Sequence, residues 1–154
     1  MLPATAATLG RSQTLLIVTI GAALAYLLAA AAFGKGSWLH CLGWINSFSY
    51  WPTLVVAAGA LYLSAWVYGG WAGRAILLQH RSAWGLGVVV SEASLLTAAV
   101  VASSTVFWQE ALPLRGPLTD ALLDYLGKPI GWVMAGGWLP AALLGLWLGY
   151  RIKG

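Results

Sequence analysis

Between Thr14 and Phe33 the chain carries no charged side chain, and Tyr26 is its sole ionisable group. About 20 residues at about 1.5 Å rise cross a hydrocarbon core of about 30 Å, so this stretch is long enough to span a bilayer. Three further tracts repeat the pattern: Pro52 to Ala72, Gly85 to Trp108 with Glu92 inside it, and Gly131 to Tyr150. Lipid supplies no hydrogen bonds to a backbone, so each tract must close its own as a helix. Pro52 fits an early helical position, where its missing N–H costs nothing. The pattern predicts an all-α integral membrane protein, a single-domain four-transmembrane-helix bundle with spans at about 14–33, 52–72, 85–108 and 131–150. The first tract exceeds the roughly 7–15 apolar residues of a signal-peptide core, so it is expected to be retained.

Composition closes off the alternatives. Of 154 residues, 60% are hydrophobic and 8% are charged, against about 25% charged in a soluble domain. A net charge of +4, scattered along the chain, does not make a nucleic-acid surface. The single cysteine, Cys41, excludes an internal disulfide.

Tryptophans mark the expected edges of the membrane. Trp38, Trp44 and Trp51 fall in the first connection, Trp71 and Trp84 flank the second, Trp108 ends the third span, Trp132 begins the fourth and Trp147 closes it. An amphipathic indole is favoured at that depth. Trp66 and Trp138 lie within spans and are expected to pack or to face lipid. Arg11, Arg74, Arg81, Arg151 and Lys153 gather on one side of the membrane, against Lys35, Arg115 and Lys128 on the other. Five against three places both termini in the cytoplasm, in a plasma (inner) membrane.

The first connection, 34–51, interleaves aromatics with small polar residues, as a segment lying among headgroups would. In the third, Thr119 can cap a short amphipathic helix over about 119–127, with Gly127 ending it and Pro129 preventing continuation. Leu118, Leu122 and Leu126 share one face of it, and Asp124 can pair with Lys128. No repeat of 20–50 residues is evident; a repeated pair of helical hairpins is conceivable, but spans 1–2 and 3–4 share no obvious residue pattern.

Helices in lipid pack through small residues. The fourth span offers Gly137, Ala141, Gly145 and Gly149 on one stripe, beside Pro140; the first offers Gly21, Ala25 and Ala29. The second offers Ala65, Gly69 and Gly73, and the third Gly87, Ser91, Ser94, Ala98 and Ala102. These seams are expected to close a tight bundle within the chain. The alternative gives the Gly137–Gly149 seam to another subunit.

Glu92 is the one acid inside a span. An intramembrane charge costs about 2.5–3.5 kcal/mol on insertion scales and so faces protein. It is either a proton- or ion-coupling carboxylate or a structural acid bonded to Tyr62, Tyr68 or a neighbouring helix, or reaching Arg81. His40 and His80 fall at opposite membrane faces and cannot share a metal ion or haem; His40 with Cys41 offers too few ligands for a transition metal. Span serines are expected to bond back to their own helix, and no nucleophile–base set or phosphate-cradling loop is present. No metal site, catalytic residue or cofactor is expected, while bound lipid is.

The leading expectation is a small non-catalytic membrane subunit, its partners being lipids, other membrane subunits or copies of itself, with no nucleic acid. An oligomeric proton- or ion-coupled transporter or channel using Glu92 is the alternative. A lipid- or quinone-contacting subunit of an electron-transfer complex is the third.

Overall fold

Apolar runs with no preferred polar face make helices that touch lipid over most of their surface, and four such helices dominate the computed structural model, which describes residues 2–33, 51–111 and 118–153. They are α1 (Pro3–Phe33), α2 (Trp51–Leu77), α3 (Ala83–Val106) and α5 (Lys128–Lys153), with a short α4 (Leu118–Leu122) before the last. Each of the four is long and apolar enough to cross a membrane. The protein is therefore an all-α integral membrane protein whose spans pack in sequence order, with α1 on α2, α2 on α3 and α3 on α5; α1 and α5 meet less fully.

Two helix limits differ from the sequence expectation. α1 starts at Pro3, so the stretch ahead of Thr14 is helix and not a tail. Arg11 does not end the span, because the small residues around it pack against α2. At the other end, α4 runs on through a π-helical turn, Leu123–Gly127, into α5. Gly127 and Pro129 thus fail to separate the amphipathic segment from the fourth span. The Lys128 N–H donates to the Leu123 carbonyl, five residues back. This widened turn shifts the hydrogen-bond ladder just where Pro129 brings a ring and no N–H. The expected Asp124–Lys128 pair forms, at 2.5 Å on an exposed face. Leu118 and Leu122 remain exposed and Leu126 is half-buried, as on a helix whose apolar side faces the membrane boundary.

The link between α2 and α3 is short. His80 takes a left-handed conformation (φ 50°), and the Arg81 N–H reaches back 3.2 Å to the Ala75 carbonyl. Ser82 then caps α3, its hydroxyl accepting from the Gly85 N–H at 3.4 Å. The first connection, with Trp38, Trp44, His40 and Cys41, lies outside the described residues.

Packing exposes an order that the linear sequence hides. Along α1 the buried side against α2 is Ala6, Gly10 and Thr14. Along α3 the matching series is Ala83, Gly87 and Ser91. α2 carries Ala65, Gly69, Trp71, Gly73 and Ile76; α5 carries Ala141, Gly145, Trp147, Gly149 and Ile152 at identical spacings. The contacts match as well. A Cβ on Gly73 would strike the Ala6 carbonyl, and one on Gly149 the Ala83 carbonyl. A Cβ on Gly10 would meet the Gly69 carbonyl and lie 2.7 Å from Gly73 Cα; one on Gly87 would meet the Gly145 carbonyl and lie 2.8 Å from Gly149 N. The two hairpins are thus seamed alike at these positions, while the third differs: a Cβ on Gly69 would meet Thr14, and one on Gly145 would meet Gly87 and Val88. The repeated hairpin that the sequence leaves conceivable shows itself in this spacing of small residues.

The apolar centre joins both hairpins: Ile17, Ala72, Ile76, Ala83, Val90, Leu148 and Ile152 form one buried cluster. It lies toward the end of the bundle that carries Arg11, Arg74, Arg81, Arg151 and Lys153. The opposite end is more open.

Candidate functional site

The fourth-span seam, Gly137, Ala141, Gly145 and Gly149, lies inside the chain. Gly145 and Gly149 are buried against the α3 backbone at Ala83, Gly87 and Val88, and a Cβ on Gly137 would lie 2.8 Å from Leu95 Cδ2. Gly145 and Gly149 of this stripe thus face α3, and Gly137 is half-buried. In α1, Gly21 meets the Leu144 side chain of α5, but Ala25 is exposed. The working seam of α1 is displaced about four turns toward its start, so that Ala6 and Gly10 fall in the stretch read from the sequence as a tail.

Arg11 belongs to that displaced seam. Its guanidinium stacks 3.9 Å above the Trp66 ring, an attraction that grows as the cation loses water. Its Nε is buried beside Gly70 with no hydrogen-bond acceptor among the described residues. Trp66, expected to pack or face lipid, therefore also masks a cation. The sequence signal was a lone arginine one α1–α2 contact away from an otherwise unexplained tryptophan, legible only once the register was known.

Glu92 is half-buried on α3, yet both carboxylate oxygens are inaccessible and neither has a hydrogen-bond partner among the described residues. Of the partners expected from sequence, Tyr62 and Tyr68 face other hydroxyls and Arg81 lies at the basic end. Tyr62 OH lies 3.0 Å from Thr19 Oγ1, Tyr68 OH lies 3.3 Å from Thr97 Oγ1, and Arg81 lines a cleft at the basic end. Those hydroxyl pairs tie α1 to α2 and α2 to α3 and leave the acid alone. Ser94 Oγ, in a residue 1% exposed, is also without a partner. It does not bond back to its helix, although Ser104, Thr97 and Thr105 do so at 2.7–2.9 Å. Both oxygens are covered, and Val88, Leu95 and Leu96 lie within about one turn of Glu92 along α3.

Of the tryptophans expected at the boundary, Trp71, Trp84, Trp108, Trp132 and Trp147 are all exposed on the bundle exterior. Trp51 opens α2. Trp71 and Trp147 occupy equivalent places in the two hairpins.

The first half of α5, expected from sequence to be the outer one, stands apart. From Gly131 to Pro140 most residues are exposed, with Trp132 at 79%. Gly131 and Gly136 have no neighbour among the described residues where a side chain would stand. Among the described residues no three His, Cys, Asp or Glu side chains gather into a metal-binding group. Comparison with protein-family models, with curated proteins and with solved structures finds no match.

Proposed function

We propose that this protein is a non-catalytic, multi-pass membrane subunit that assembles with copies of itself or with other membrane proteins through the outer half of α5. One observation carries the reading. The helix is seamed against α3 from Gly137 to Gly149, whereas Gly131, Ala135 and Gly136 keep small residues open on its exposed side. In lipid there is no hydrophobic gain from covering such a face. The gain comes from close backbone approach, which small residues permit and bulky ones prevent.

The reading assigns both termini to the cytoplasm, from the basic end of the bundle, and contains no catalytic step, resident metal or cofactor. Light scattering of the full chain in mild detergent tests it with two variants. Gly136→Leu is expected to give a smaller particle that stays helical, because that site has no described neighbour to displace. Gly145→Leu is expected to unfold the bundle instead. An unchanged particle size for Gly136→Leu would refute the assembly surface.

A second reading has one observation in its favour. A buried acid without a donor, as at Glu92, is the kind of group that exchanges a proton during transport. On this reading the pathway forms between protomers, since the described interior holds close-packed side chains. Proton flux in liposomes decides it: Glu92→Gln abolishes the flux if the reading holds, and undiminished flux removes Glu92 from any coupling role.

A further inference from the structure

At the basic end of the bundle, a cleft of about 500 Å³ opens between the α2–α3 link and the last turn of α5. Its polar rim comprises His80, Arg81, Ser82 and Lys153, and its apolar wall includes Ile76, Leu77 and Trp84. No acidic side chain lines it. The cations come from two separate elements, so the cleft is assembled by the fold and is not a run of adjacent charges. Arg81 and Lys153 take part in no ion pair among the described residues, so nothing in the described protein neutralises them.

We infer that this cleft holds the phosphate-bearing headgroup of one anionic phospholipid. Three features select that chemistry. Arg81 and Lys153 supply charge-assisted donors to phosphate oxygens, the arginine as a planar fork and the lysine as a point charge. Trp84 is 54% exposed beside the rim, at the depth where an indole sits between headgroup and acyl chain. Leu77 belongs to the membrane-spanning α2 and Trp84 to α3, while the buried Ile76 closes the cleft floor, so a headgroup seated on the rim leaves its chains running beside Leu77 and Trp84. A free anion would use the rim alone; a phospholipid uses rim and wall together. The inference does not depend on assembly through α5, whose open face lies toward the opposite end of that helix.

Native mass spectrometry of the full chain, with phosphatidylglycerol or phosphatidylcholine added in mild detergent, tests it. The expected result is one phosphatidylglycerol retained per chain, with about tenfold preference over phosphatidylcholine. The double variant Arg81→Gln, Lys153→Gln is expected to lose that preference, while Lys128→Gln at the other end of the bundle keeps it. Millimolar inorganic phosphate is expected not to displace the lipid. Equal retention of the two lipids by the parent chain would overturn the inference even if the double variant did not fold. So would displacement by inorganic phosphate, which would assign the rim to a free anion.

Discussion

Replacing Glu92 by leucine removes a carboxylate that no described residue satisfies. A buried polar group without a partner costs about 1–3 kcal/mol, and more when charged. The variant is therefore expected to be more stable by about that amount, read from thermal or denaturant unfolding in detergent. A loss of stability would mean that Glu92 has a donor after all. The strained His80 makes a second case at this scale. A left-handed residue other than glycine costs about 1–2 kcal/mol, so His80→Gly is expected to raise stability by up to about that range, less the added freedom of the unfolded glycine. An unchanged or lower unfolding midpoint would show that the imidazole makes a compensating contact. Much at this scale was legible from spacing alone: Asp124 and Lys128, four apart on a helix, pair as expected. The partner of Arg11 was not, because Trp66 lies on another helix and only the packing register brings the two together.

The helices owe their fit to glycines at specified places. At Gly10, Gly73, Gly87 and Gly149 an added Cβ would lie within 3.0 Å of neighbouring backbone atoms, which cannot swing aside. Alanine at any of the four is expected to destabilise by about 1–3 kcal/mol. Because the hairpins repeat, Gly73→Ala and Gly149→Ala are expected to cost about the same. Gly59 on α2 has nothing within 4 Å, so Gly59→Ala is expected to gain up to about 1 kcal/mol from helix propensity. Unfolding curves for the three variants check the set. Equal effects at Gly59 and Gly73 would contradict close packing at the seam. The four spans themselves could be read from uncharged length, since lipid leaves a backbone few choices. Their ends could not: hydropathy stopped α1 at Arg11, yet the seam of Ala6, Gly10 and Thr14 continues the helix to Pro3. The break expected at Gly127 and Pro129 vanished because a π-helical turn absorbs the proline.

Taken whole, the molecule packs as two hairpins, α1–α2 and α3–α5, built on similar seams. The similarity escaped a reading by composition because it is written in small residues four apart and in the pair Trp71 and Trp147. The positions between differ even where they are buried, as at Ala72 and Leu148. The seam glycines Gly10, Gly69 and Gly73, and Gly87, Gly145 and Gly149, pack within their own hairpins, and the buried cluster around Ile17, Val90 and Leu148 joins the two. On the proposed reading, another helix approaches closely at the half of α5 around Gly131 and Gly136, where an added side chain meets no described neighbour. The direct test is the native mass of the parent chain, extracted from membranes with its lipid retained. Assembly through α5 predicts a particle of defined composition containing at least two polypeptides. A particle holding a single copy of this chain and no other protein would contradict it.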